Sequence, residues 1–132
     1  MPIFMKEQTF LDFLTKTYPQ NHFEKGYSVF SINLISTTPV MSVVYIGDEC
    51  VAAARYNQSM GFFSDPLLIT SDHIIKLEMA RQGTGDRMRI ETDEKMADGT
   101  PMTLTLNIAS ISLVAWHQRN LSRLKKCYSV KR

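Results

Sequence analysis

The stretch from Leu67 to Tyr128 constrains this chain most, because three alternating strand patterns joined by glycine turns run into one amphipathic, basic helix. His73 to Gln82 sets Ile75, Leu77 and Met79 on one face. Arg87 to Glu94 sets Met88 and Ile90 one way, and Arg87, Arg89, Glu91 and Asp93 the other, since side chains alternate across a strand. A two-residue loop at Gly83-Thr84 pairs Gln82 with Gly85, Met79 with Met88 and Leu77 with Ile90, and opposes Glu78 to Arg89 and Lys76 to Glu91. A loop two residues longer opposes Glu78 to Glu91, a repulsive pair, so the short loop is predicted, with Gly83 at the first position of a type II′ turn. At Ala97-Asp98-Gly99 the reading is a three-residue loop with Gly99 at positive φ, pairing Ile90 with Leu106 and Thr92 with Leu104. Met102, Leu104, Leu106 and Ile108 then face the core, and Thr103, Thr105 and Asn107 face outward.

After Ser110 the period lengthens from two to about 3.6. Leu113, Trp116, His117, Leu121, Leu124 and Tyr128 form one stripe, with Ser110 or Ser112 able to cap the start. Arg119, Arg123 and Lys126 share a flank of that helix. Upstream, Lys6 to Thr17 reads as a short helix around Phe10, Leu11, Phe13 and Leu14, ended by Tyr18-Pro19. Thr9 and Asp12 have capping-box spacing, which would start that helix a turn later. Tyr27 to Ser36 is a strand with Phe30, Ile32 and Leu34 on one face. Thr38-Pro39 turns the chain into the β-branched run Val40 to Ile46. The alanine-rich Cys50 to Tyr56 allows a strand or a short helix, and a strand is the reading taken. Asn57 to Pro66 is read as a loop, followed by a short strand at Leu67 to Thr70.

A length of 132 residues predicts one globular domain over 1–132, with enough core to fold without disulfide or metal. Two cysteines, Cys50 and Cys127, show no CxxC or Cys/His spacing and are read as reduced thiols of a cytoplasmic protein. Neither a signal peptide nor a transmembrane segment is recognised. The formal net charge of +2 hides an asymmetry. All 13 acidic residues lie at or before Asp98, against 9 basic ones, whereas 6 basic and no acidic residues follow it.

The chemical signals are few. No HxH, HExxH or G-x-S-x-G occurs, and His22, His73 and His117 stand in separate contexts, so no metal, cofactor or catalytic set is expected. Gly83-Thr84-Gly85 is a hairpin turn rather than a nucleotide loop, because Met88 replaces the third glycine and no helix follows. Glu91, Asp93 and Glu94 share a strand with Arg87 and Arg89 and read as a self-compensating surface rather than an acid/base pair. Two candidates remain. Arg119, Arg123 and Lys126 form a candidate anion-binding flank for nucleic acid or an anionic membrane surface, although cations near a helix C-terminus also serve its dipole. Met60, Phe62 and Phe63 form a candidate partner contact, or fold back to close one end of a barrel.

The predicted class is α+β: mainly antiparallel β, about seven strands in a sandwich or barrel, with a short N-terminal helix and a C-terminal amphipathic helix. A closed barrel and an open sheet roofed by the helix are both compatible with it. The strand patterns from Tyr27 to Ile108, followed by the helix segment Leu113-Val114-Ala115-Trp116-His117-Gln118-Arg119-Asn120-Leu121, resemble the pleckstrin-homology-like domain in architecture. The N-terminal helix departs from that pattern. So does the absence of a basic cluster between the first two strands, where phosphoinositide-binding members carry theirs. The resemblance implies a non-catalytic binding or scaffolding module. Three functions stay open: a protein-binding or self-associating module, an anion binder through the basic helix, and a small-ligand protein or enzyme with a pocket near His117 and Tyr128.

Overall fold

The computed structural model describes residues 6–35, 38–57, 60–82, 85–95, 97–108 and 115–128, and of residues 33–40, 82, 115 and 128 only the backbone. Helix α1 (Glu7–Thr17) precedes seven strands, β1 (Ser28–Ile35), β2 (Thr38–Ile46), β3 (Cys50–Asn57), β4 (Phe62–Thr70), β5 (Ile74–Gln82), β6 (Gly85–Lys95) and β7 (Pro101–Ile108), and helix α2 (Ala115–Tyr128) follows them. One 3-10 turn, Ser71–His73, joins β4 to β5. All seven strands form a single antiparallel sheet in the order β4-β3-β2-β1-β7-β6-β5, so β4 and β5 are its edges. Among the described residues the two halves meet at the pair Ser31 with Ile108.

Val29 and Phe30 of β1, Val43 to Ile46 of β2 and Cys50 to Ala52 of β3 are buried on both faces of the sheet, and this dictates their composition. Phe30, Val43, Tyr45, Ala52 and Ala54 share a cluster with Phe10, Leu11 and Leu14 of α1 and with Trp116. Val29, Val44, Ile46 and Val51, which alternate with them, share a second cluster with Met79, Met88, Ile90 and Ile108 and with Leu121 and Leu124 of α2. A strand wetted on neither side has no reason to alternate polar and apolar residues, hence the continuous run Val43-Val44-Tyr45-Ile46. The alanines of β3 are strand residues, Ala52 and Ala54 in the cluster that holds the α1 side chains and Ala53 against the other. β6 and β7 are buried on one face only, and they alternate.

The predicted β5–β6 register holds from Lys76–Glu91 through Leu77–Ile90, Glu78–Arg89 and Met79–Met88 to Gln82–Gly85; the Gly83-Thr84 turn lies outside the described residues. Beyond Lys76 a bulge intervenes, and Ile74 pairs with Thr92. Ile74 therefore joins the core. Ile75, expected inside, is 69% exposed.

The β6–β7 register differs from expectation by two residues: Ile90 lies opposite Leu104 and Met88 opposite Leu106. The cause is a bulge. Between the Glu91–Thr103 and Lys95–Pro101 pairs, β6 carries Thr92, Asp93 and Glu94 while β7 carries only Met102. The buried Thr92 hydroxyl closes the gap by donating to the Met102 carbonyl (2.7 Å) and accepting the Glu94 N–H (3.3 Å). A shift of two preserves the faces, so Ile108 is buried and Thr103, Thr105 and Asn107 are exposed as expected. Gly99 has the positive φ foreseen for it (87°).

Three boundaries also move. Thr38 and Pro39 belong to β2, paired with Ile35 and Leu34. The presumed loop Asn57–Pro66 is largely strand, because β4 begins at Phe62 and tolerates Pro66 at a sheet edge where no ladder partner needs its N–H. Helix α1 starts at Glu7 with Lys6 as an N-cap that makes no side-chain hydrogen bond, so Thr9 is not the cap. The Ser110 or Ser112 cap, Leu113 and the side chain of Tyr128 lie outside the described residues.

Thr92→Val keeps the shape of this side chain and removes both bonds of its hydroxyl. The expected loss is about 1–3 kcal/mol of unfolding free energy, with Thr92→Ser closer to wild type. Urea denaturation measures it, and an unchanged midpoint would mean that the hydroxyl does not hold the bulge.

Candidate functional site

Helix α2 is attached through polar as well as apolar groups. Trp116 packs on Phe30 with ring centroids 4.9 Å apart. His117, fully buried, accepts the Phe30 N–H at Nδ1 (3.0 Å). A backbone N–H only donates, so the bonded nitrogen carries no proton and the ring is the Nε2–H tautomer. One turn on, the buried Asn120 donates from Nδ2 to the Ser28 carbonyl (2.9 Å) and to Glu7 Oε2 (3.1 Å). The same Glu7 oxygen accepts the N–H of Gly26 (3.0 Å). Glu7 is only 5% exposed, so α1, the 25–26 turn, β1 and α2 are joined at one buried carboxylate.

Gly26 suits this junction twice over. Its φ of 108° is one that L side chains rarely adopt, and a Cβ there would collide with Arg123 Nη1. The Arg123 guanidinium itself stands over the Tyr27 ring, 4.8 Å from its centroid, a cation–π contact.

Cationic residues adjoin the bonded residues in sequence. Lys6 adjoins Glu7, Lys25 adjoins Gly26, and both are exposed. Arg119, Arg123 and Lys126 are exposed on the adjoining flank of α2. Lys125 lies on the opposite flank, 3.7 Å from the buried carboxylate of Asp86. The sequence marked the three α2 residues; it gave no sign of Lys6 and Lys25, whose placement depends on the Glu7–Asn120 contact across 113 positions.

Beside this surface, sharing Tyr27, is a cleft of about 180 Å³ lined by Glu24, Tyr45, Asp48, Glu49 and Cys50 among others. Tyr45 is nearly buried and its hydroxyl accepts the Glu24 N–H (3.1 Å). Phe23 meets its ring edge-on at 5.1 Å, and Tyr27 stands 5.8 Å away. His22 and Glu24 form an exposed pair (3.0 Å) at the mouth. Burial raises the pKa of the Tyr45 phenol, and burial followed by the Glu49 charge raises that of the Cys50 thiol, so both are neutral near pH 7.

The other expected contact splits. Met60 is 72% and Phe62 47% exposed. Phe63 folds back onto Phe13, Phe10 and Tyr56, with centroids 5.0, 5.4 and 4.9 Å away. Asp93, read as part of a solvated surface, pairs with His73 at 2.8 Å. Cys50 and Cys127 are free thiols. Among the described residues no cluster of His, Cys, Asp and Glu is suited to a metal ion, and no helix is long and apolar enough to cross a membrane.

Fold and junction together describe an α+β protein: one sheet of seven antiparallel strands, a helix at each end, and a basic surface where the helices meet. No protein-family model matches the chain, and no curated protein matches it in sequence. Among solved structures it is similar to the hSac2 domain from human phosphoinositide phosphatase Sac2, with a TM-score of 0.49 and 11% identity over 94% of this chain and 79% of that one.

The hydrogen bond and charge of Asp93, then the charge of Asp72, raise the pKa of His73 above its ordinary value. A raised histidine pKa stabilises the fold fully below the unfolded pKa, and the contribution is lost as pH rises through the folded one. An NMR titration of the His73 ring is expected to show a midpoint above 6.5 that falls in Asp93→Asn. An equal midpoint in both proteins would mean that the pair does not form in solution.

Proposed function

We propose that this protein is a non-catalytic binding module of pleckstrin-homology-like architecture that recognises a phosphate-bearing anion through Arg119, Arg123 and Lys126, joined by Lys25 and Lys6. The strand order and the C-terminal helix packed on β1 and β5 support the architectural part. One observation carries the functional part. The Glu7 bonds bring the start of α1, the 25–26 turn and α2 together, Lys6 and Lys25 are exposed next to the bonded residues in sequence, and the Arg123 guanidinium stands over the Tyr27 ring. A guanidinium so held loses little freedom when its N–H groups meet a phosphate. The Glu7 carboxylate is turned inward, bonded to Gly26 and Asn120.

His117 favours structure over catalysis, since it is fully buried and bonded to the backbone. Pairing through a sheet edge is also disfavoured. β4 carries Pro66 and the positive-φ Asp65, and β5 carries a bulge and the exposed Lys76 and Arg81, devices that discourage edge-to-edge association. A protein contact through Met60 and Phe62 is the second reading, supported by their exposure at the tip of the β3–β4 hairpin.

Titration with inorganic phosphate, followed by amide NMR, tests the proposal. The expected result is saturable shifts at Lys25, Gly26 and Arg123 that weaken as sodium chloride is added. Arg119→Glu with Lys126→Glu should abolish them, whereas Lys16→Glu with Lys95→Glu, an equal change in net charge elsewhere, should not. Shifts insensitive to salt, or equally reduced by both pairs, would overturn it.

A further inference from the structure

The cleft beside the basic surface has the opposite polarity, and the two share one ring. Tyr27 lines the cleft and carries Arg123 on its face. The acidic residues Glu24, Asp48 and Glu49 line the cleft, all three exposed, and Glu24 Oε1 is 3.0 Å from His22 Nε2, which lines it too. Its aromatic part is Tyr45 with Tyr27, and Cys50, 2% exposed and a free thiol, lines it too.

Each half alone gives a simple ion both a favourable and an unfavourable neighbour. A lone cation entering the cleft is attracted by the carboxylates and tyrosine faces but repelled by Arg123 and Lys25. A lone anion on Arg123 meets the field of the three carboxylates. A ligand carrying both charges a few bonds apart satisfies both halves, because π-faces and carboxylates attract ammonium groups while a planar guanidinium pairs with phosphate. The cleft, about 180 Å³, suits a small cationic head and is below the roughly 300–1,000 Å³ of drug-sized sites. The turn that presents Asp48 and Glu49 is fixed by the Gly47 N–H donating to the Cys50 carbonyl (3.0 Å), and Gly47 lies against the Tyr45 ring.

We propose that the ligand is a zwitterion in which a phosphate ester and an ammonium group are joined by a short link. The ammonium enters the cleft between Tyr45, Tyr27 and the Glu24, Asp48 and Glu49 carboxylates, and the phosphate rests on Arg123 and Lys25. This rests on the anion-binding reading and adds to it the second charge and its place. A free phospho-amino alcohol and the headgroup of a zwitterionic phospholipid share this chemistry.

The test compares phosphocholine, phosphoethanolamine, inorganic phosphate and tetramethylammonium by amide NMR titration of the full chain. The expected result is that a zwitterion binds at least about tenfold more tightly than phosphate. It should shift Gly47 and Asp48 together with Gly26, whereas phosphate alone shifts only the Gly26 side. Asp48→Asn with Glu49→Gln, both at exposed turn positions, should remove that advantage and leave phosphate binding intact. Vesicles of phosphatidylcholine then separate the sources: sedimentation with them assigns the lipid headgroup, and binding confined to the free compounds assigns the soluble one. Equal affinity for phosphate and zwitterion, with Gly47 unmoved, overturns this inference and leaves the anion-binding reading standing. No shift with any of the phosphates overturns both.

Discussion

One buried carboxylate holds the arrangement together. Glu7 is taken almost wholly out of water at the first position of α1, where the helix N-terminus favours negative charge. Its Oε2 gathers the N–H of Gly26 and the amide of Asn120, and Asn120 in turn holds the Ser28 carbonyl. Desolvating an ionised group costs several kcal/mol unless hydrogen bonds replace the lost water, so the four segments are constrained to meet. Lys6 and Lys25 each adjoin, in sequence, a residue joined at this carboxylate, and Arg123 stands against Gly26 and Tyr27 from α2.

The two-faced sheet is the other half of the same arrangement. With α1 over Ala52 and Ala54, and α2 reaching both clusters through Trp116 on one side and Leu121 and Leu124 on the other, neither helix packs in isolation. Helix α2 packs on β1 and β5, fastened in its first turn by His117 to the Phe30 amide. That packing leaves Arg119, Arg123 and Lys126 in solvent. It also brings Arg123 over Tyr27, at the rim of the acidic cleft.

What was legible in the sequence follows local physics. The β5–β6 pairing could be read because Glu78, Arg89, Lys76 and Glu91 discriminate between registers and the turn is short. The β6–β7 pairing could not, because the bulge at Thr92 is stabilised by a side chain bonding to Met102 across the hairpin, an event no alternation pattern records. Likewise the strand at Phe62 was hidden by Gly, Ser, Asp and Pro, residues tolerated where an edge strand needs no second partner. Of the candidate site, the α2 flank was visible as a helical stripe. Glu7, Gly26 and Asn120 were not, since each looks like an ordinary polar residue until the chain brings them together. Phe63 illustrates the converse: it sits in a polar-looking segment yet packs on α1.

The most direct test of this account is the phosphate affinity of Glu7→Ala, measured alongside hydrogen exchange of the Gly26 amide in a protein whose NMR spectrum remains folded. Simple electrostatics says that removing a negative charge beside a basic surface strengthens anion binding. If the buried carboxylate assembles that surface, Gly26 loses its protection and phosphate binds more weakly, although every cation is still present. Tighter binding, with Gly26 still protected, would contradict the account.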